Sequence, residues 1–157
     1  MDEDQYDVIV VGARCAGSST AMLLARSGYR VLVVDRSTFP SDTISTHLIH
    51  PPGVAALQRW GLLDRVIATG CPPIGTYSFD FGPFSISGSP GTPDSPVAYG
   101  PRRTVLDQLL VEAAAESGAR RCCAATTPTG AACRWAVDGR RTTVRIVPSP
   151  HGPRTTA

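Results

Sequence analysis

The sequence contains no lysine: all fifteen basic side chains of its 157 residues are arginine. It has no apolar run approaching the roughly 18–20 residues of a membrane-spanning helix, so no membrane association is expected. Its first residues, MDEDQ, are acidic where a secretory leader is basic. The apolar VIVV that follows is short for a leader core, so the expected compartment is the cytoplasm. The cysteines at 15, 71, 122, 123 and 133 make neither a C-x-x-C nor a paired framework, which argues for reduced thiols and against zinc. His47 and His50 in STHLIH lack third and fourth ligands, so no metal is expected. No G-x-S-x-G elbow carries a serine nucleophile, and no catalytic residue is assigned.

What is present begins with 42% hydrophobic and 18% charged residues, enough for one ordinary globular domain. Val8–Val11 is a β-branched run suited to a parallel strand covered on both faces. The turn GARCAG leads into a helix over 18–27 whose Gly17, Ala21, Leu24 and Gly28 recur at helical spacing. Val31–Val34 is a second strand that ends at Asp35. Strand, glycine turn, helix, strand and acid within thirty residues make one βαβ unit.

In such a turn the first glycine allows a tight exit from the strand, and the last allows helix and strand to pack closely. The helix N-terminus then offers N–H groups and partial positive charge to a phosphate. Gly12 and Gly17 keep these outer roles, while Arg14 takes the place of the middle glycine. A side chain is tolerable there if φ stays negative and the guanidinium points outward, over the phosphates or into solvent. Asp35, 23 residues after Gly12, stands where an acid accepts hydrogen bonds from an adenosine ribose. The pattern predicts a dinucleotide cradle and does not choose between FAD and NAD. The plainer account is a strand–helix turn beside a surface acid.

Further along, PPGVAALQRW and LLDRVIAT predict two short helices, and TYSFDFGPFSISG predicts a β-hairpin turning at Gly82-Pro83. Trp60, Phe79, Phe81 and Phe84 are expected in core and hairpin packing. In RRTVLDQLLVEAAAESG, Leu106, Leu109, Leu110, Ala113 and Ala114 mark the buried stripe of a helix that ends at Gly118. Beyond Gly118 neither a helical nor a strand period is visible.

The segment YDVIVVGARCAGSSTAMLLARSGYRVLVVDR resembles the N-terminal FAD-binding unit of the flavoprotein monooxygenases, the para-hydroxybenzoate hydroxylase-like family. Its superfamily also contains the geranylgeranyl reductases. HPPGVAALQRWGLLDRV is similar to that family's helix beside the flavin, and RRTVLDQLLVEAA to its R-x-x-L-x-x-x-L helix. The three segments stand in the family's order over roughly residues 5–118.

The resemblance implies an α/β, Rossmann-like FAD-binding βαβ domain with a parallel sheet and a small β-hairpin insertion, truncated relative to the family. It implies that Gly12, Ala13, Arg14, Ala16 and Gly17 hold the pyrophosphate, Asp35 the ribose, and Arg36 the adenine side. Arg103 takes the position of the arginine that contacts FAD, with Arg102 as the fallback. An arginine at a helix start is disfavoured by the helix dipole, so a ligand anion accounts for it better than solvent does. His50 is either near the flavin ring or a packed or solvated loop histidine. Cys15 is either an activated thiol or a small filler.

The implied parent activity is a flavin-dependent monooxygenase. NAD(P)H would reduce FAD, and oxygen would be used to hydroxylate an aromatic or polyketide-like small molecule. The alternatives are an isoprenoid-type flavin reductase, an NAD(P)-binding reductase, or a non-catalytic FAD-binding fragment.

Residues 119–157 are an atypical basic tail, with seven arginines against one acid, Asp138. Residues 1–118 hold eight arginines against twelve acids. The tail's arginines follow no helical face and a single aromatic, Trp135, stands among them, so a nucleic-acid arm is not expected. The family would continue there with an apolar alternating strand. The abrupt change to Arg, Ala, Thr, Pro and Gly leads us to expect an out-of-frame or disordered tail from residue 119.

Overall fold

The computed structural model describes residues 6–35, 37–93, 95–123, 133–137 and 140–144. In chain order the elements are β1 (Val8–Val11), α1 (Cys15–Arg26), β2 (Val31–Asp35), α2 (Pro51–Arg59) and α3 (Leu63–Ile67). Then come β3 (Pro73–Ile74), β4 (Tyr77–Asp80), β5 (Ser85–Gly88), β6 (Ala98–Tyr99) and α4 (Arg103–Glu116). The last are β7 (Arg120–Cys123), β8 (Cys133–Val137) and β9 (Arg140–Val144). The chain divides into two compact units, one of residues 1–38 with 114–157 and one of residues 39–113.

The first unit is built on a parallel sheet in the order β1-β2-β7. Val8 lies opposite Val31 and Val11 opposite Val34, while Leu32 lies opposite Arg120 and Asp35 opposite Cys123. Central β2 is buried along Val31–Val34, as a β-branched run covered on both faces should be. Helix α1 is the crossover between β1 and β2 and packs on both, with Ala21 and Met22 fully buried. It ends where Gly28 N–H reaches Ala25 O and Tyr29 N–H reaches Leu24 O.

Strand β1 departs from the expectation. Ile9 and Val11 are 46% and 75% exposed, while Val8 and Val10 are half-buried. Among the described residues the strand pairs on one side only, with β2, and its alternating exposure leaves one face of the run open and the other half-buried.

β7 forms just beyond Gly118, where no residue period announces a strand. Its place comes from main-chain pairing with β2, which needs no alternation of its own side chains. β8 and β9 form an antiparallel pair with Val137 opposite Arg140. The other residues of the tail, including 124–132 and 145–157, lie outside the described residues.

In the second unit α2 opens with Pro51-Pro52 in its first turn, where a missing N–H costs nothing. Val54 and Leu57 of α2 are buried, as are Leu62 and Val66 around α3. The hairpin forms as expected, with Phe79 opposite Ile86 and Phe81 N–H on Phe84 O. Phe81 and Phe84 stack at 5.1 Å. Its phenylalanines are not core, however: Phe79, Phe81 and Phe84 are each more than half exposed. Among the described residues β4 and β5 pair only with each other, and Ile86 on the same face as Phe79 is exposed too. Along α4 the five stripe residues from Leu106 to Ala114 are all buried.

Central burial against edge exposure makes a direct stability comparison. Leu32→Ala should lower the unfolding free energy by about 2–5 kcal/mol. Ile9→Ala should lower it by under about 1 kcal/mol. Urea unfolding of the two variants beside the parent chain measures both.

Candidate functional site

The turn between β1 and α1 is set by one close approach. Gly12 has φ +97°, a conformation that L side chains rarely adopt, and its N–H bonds Val34 O at 2.7 Å. A Cβ on Gly17 would lie 1.7 Å from the Gly12 carbonyl oxygen, so only glycine lets the start of α1 rest on that peptide. This is the packing role the last glycine of a dinucleotide turn requires. The first turn of α1 thereby directs its N–H groups out of the helix end, a place suited to a phosphate.

Arg14 caps α1 with φ −85° and ψ −169°, so its side chain is carried without strain where a middle glycine was expected. Its carbonyl accepts Ser18 N–H at 2.9 Å. Ala16 is exposed, and Cys15 and Gly17 are half-buried. Ala13 is fully buried.

Asp35 closes the site from the end of β2. Its Oδ2 accepts Ala13 N–H at 2.6 Å and its Oδ1 accepts Ser37 N–H at 2.7 Å. Burial pushes this carboxyl up. The donated N–H groups of Ala13 and Ser37, the Ser37 hydroxyl and the Arg14 charge outweigh that, and hold it below the ordinary 3.8. Gly12, Ala13, Arg14, Ala16, Gly17 and Asp35 thus come together at one end of one unit. Arg36 lies outside the described residues.

Arg103 belongs to the second unit and opens α4. Its guanidinium makes a two-point bond to Asp107, Nε to Oδ1 at 3.0 Å and Nη2 to Oδ2 at 3.1 Å. Asp107 is fully buried, and the Arg103 side chain is 17% exposed. Within the chain, then, the anion beside this helix-start arginine is Asp107. Arg102 is exposed, and its carbonyl accepts the N–H groups of Val105 and Leu106.

His50 is exposed; its Nδ1 lies 3.1 Å from Tyr77 Oη, and the rings meet edge-on. His47 has φ +52°, and its buried Nδ1 has no partner among the described residues. With Asp42, Thr43, Ile44 and Ser45 it lines an open cleft. Among the described residues no group of three His, Cys, Asp or Glu is placed to hold a metal, and no helix is long and apolar enough to cross a membrane.

Three residues of these networks were not singled out in the sequence. Ser18 donates its hydroxyl to Ala13 O at 2.8 Å from a position that is only 1% exposed. Its signal was a hydroxyl between Gly17 and Ala21 on the face of α1 that turns to the sheet. Asp107 lay within the apolar stripe, four residues after Arg103. Ser37 was not singled out; both its N–H and its hydroxyl act on Asp35, two residues before it.

Two outcomes follow. Gly17→Ala should destabilise the chain by about 1–3 kcal/mol, because the new methyl displaces α1 or the Gly12 peptide, and a thermal or urea melt reads this. The lowered Asp35 value gives stability that is complete above 3.8 and is lost as pH falls through the folded-state value. Unfolding midpoints between about pH 5 and 2 should therefore fall more steeply for the parent chain than for Asp35→Asn.

Residues 5–129 match the family described as "FAD binding domain". The chain is 36% identical over 114 residues to the menaquinone reductase of Mycolicibacterium smegmatis, covering 73% of this chain and 28% of that protein. It is 43% identical over 61 residues to the squalene monooxygenase of Eremothecium gossypii, covering 39% of this chain and 12% of that protein. In structure it is similar to a myxobacterial chondrochloren halogenase, a variant of FAD-dependent halogenases. There the TM-score is 0.69 and the identity 23%, over 89% of this chain and 35% of that one. The chain thus spans about a third or less of each of these proteins.

Proposed function

The chain belongs to the FAD binding domain family, and from that premise we propose that it is the cofactor-binding head of a flavin-dependent monooxygenase-type oxidoreductase. The observation that carries the reading is the Gly12–Gly17 contact, a cradle that a single Cβ would fill. In this reading Gly12, Ala13, Arg14, Ala16 and Gly17 form the turn that receives the diphosphate of FAD at the N-terminal end of α1, with Gly12 N–H and Ala13 N–H held by Val34 O and Asp35. Asp35 accepts from the ribose, Arg36 flanks the adenine and Arg103 takes a phosphate oxygen. Bound FAD supplies two-electron redox chemistry between a nicotinamide donor and oxygen or an organic substrate. The residues of this chain bind and orient it, and none is assigned to the chemistry. NAD(P)H as donor, an aromatic or polyketide-like small molecule as substrate, and a cytoplasmic setting belong to the same proposal. A reductase of isoprenoid double bonds is the second reading, favoured by the likeness to a menaquinone reductase.

The division at residue 118 into a cofactor domain and an atypical tail is likewise proposed. A break of reading frame near residue 119 belongs to the same proposal, resting on the change of composition after Gly118. Translating the gene's other frames downstream of that codon checks this: a further apolar alternating domain in another frame is the expected result.

The binding proposal is tested by titrating the purified chain with FAD and following the flavin's fluorescence. Saturable quenching with one FAD per chain is expected. Arg103→Gln should weaken it on the order of 10- to 100-fold, the scale of a lost charge-assisted bond to phosphate. Absence of saturable quenching would overturn the proposal.

A further inference from the structure

Ala13 sits between two side chains that act on its backbone from opposite sides. Asp35 Oδ2 holds its N–H at 2.6 Å, and the buried Ser18 hydroxyl holds its carbonyl at 2.8 Å. Because a peptide unit is planar, fixing the Ala13 N–H also fixes the direction of the Gly12 carbonyl. That carbonyl is the surface on which Gly17 and the start of α1 rest. Fixing the Ala13 carbonyl likewise fixes the direction of the Arg14 N–H at the mouth of the helix. Asp35 is itself oriented through Ser37 N–H on its other oxygen.

From this geometry we infer that Asp35 is the positioning residue of the diphosphate turn, beyond its part at the ribose. Its carboxylate sets the Gly12–Ala13 peptide and, through it, the height and direction at which the end of α1 meets a diphosphate. This inference rests on the reading of the turn as the cradle for the FAD diphosphate. A carboxylate oxygen accepts more than one hydrogen bond, so Asp35 can keep Ala13 N–H while receiving a ribose hydroxyl. The ribose and diphosphate subsites are then two ends of one hydrogen-bonded unit.

Charge makes the consequence distinctive. A carboxylate beside an anion site repels the anion. If Asp35 served the ribose alone, removing its charge would leave the binding of a ribose-free diphosphate unchanged or make it tighter. If it positions the turn, removing it weakens that binding despite the lost repulsion.

The probe is inorganic pyrophosphate, measured by displacement of FAD from the full chain and by direct calorimetry. The proteins are the parent, Asp35→Asn and Asp35→Ala, each checked for folding by circular dichroism. Asn keeps an oxygen acceptor for Ala13 N–H and Ala does not, while both lack the charge. We expect pyrophosphate affinity to fall about 3- to 10-fold in Asp35→Asn and further in Asp35→Ala. Should the alanine variant not fold, Asp35→Asn against the parent carries the test by the same sign. Pyrophosphate binding unchanged or tightened in Asp35→Asn, with FAD binding weakened, confines Asp35 to the ribose and overturns the inference while the cradle stands. Failure of pyrophosphate to displace FAD from the parent chain overturns the cradle itself, and the inference with it.

Discussion

The first unit depends on the contact between the Gly12 carbonyl and the bare Cα of Gly17. That approach lets α1 begin immediately above the end of β1, and it fixes how the helix lies on the sheet. From there the helix buries Ala21 and Met22, turns back, and delivers the chain to β2 in parallel register with β1. A side chain at residue 17 would separate helix from strand, and the register, the core and the N-terminal end of α1 would move together.

Around this contact the polar groups are arranged to hold the backbone rather than to project chemistry outward. Ser18, Asp35 and Ser37 bond along the turn, while Gly12 N–H ties it to β2 at Val34 O. The carboxylate of Asp35 stays charged because it collects N–H donors at a cost in desolvation. Arg14, the departure from the usual glycine pattern, fits because its φ is that of ordinary extended backbone. Arg103 is oriented in the same manner, by a buried acid one helical turn along. An arginine preceding its acid is the less favourable order on a helix, so helix stability alone does not explain that pair.

The family relationship assigns the cofactor without assigning the reaction. The chain spans 28% of one relative named a menaquinone reductase and 12% of one named a squalene monooxygenase. FAD binding is shared by different flavin chemistries, so the family alone does not select a substrate. Ile9 and Val11 on the outer face of β1 and the hairpin phenylalanines are open to solvent.

Read alone, the sequence determined the local decisions: the βαβ unit, the glycine turn, the two proline-led and leucine-striped helices, the hairpin and the acid at the end of β2. These were legible because each follows from neighbours in the chain, through β-branched runs, helical spacing and turn residues. Only the tertiary structure decided that β1 is an edge strand and β2 the central one, since the same valine run suits both. Only it made a strand of Arg120–Cys123, whose side chains carry no strand pattern but whose main chain pairs with β2. It also gave Ala13 N–H to Asp35 and Asp107 to Arg103. Burial and hydrogen-bond partners are set by which chain segments meet in space, and residue periodicity records only which face of an element is apolar.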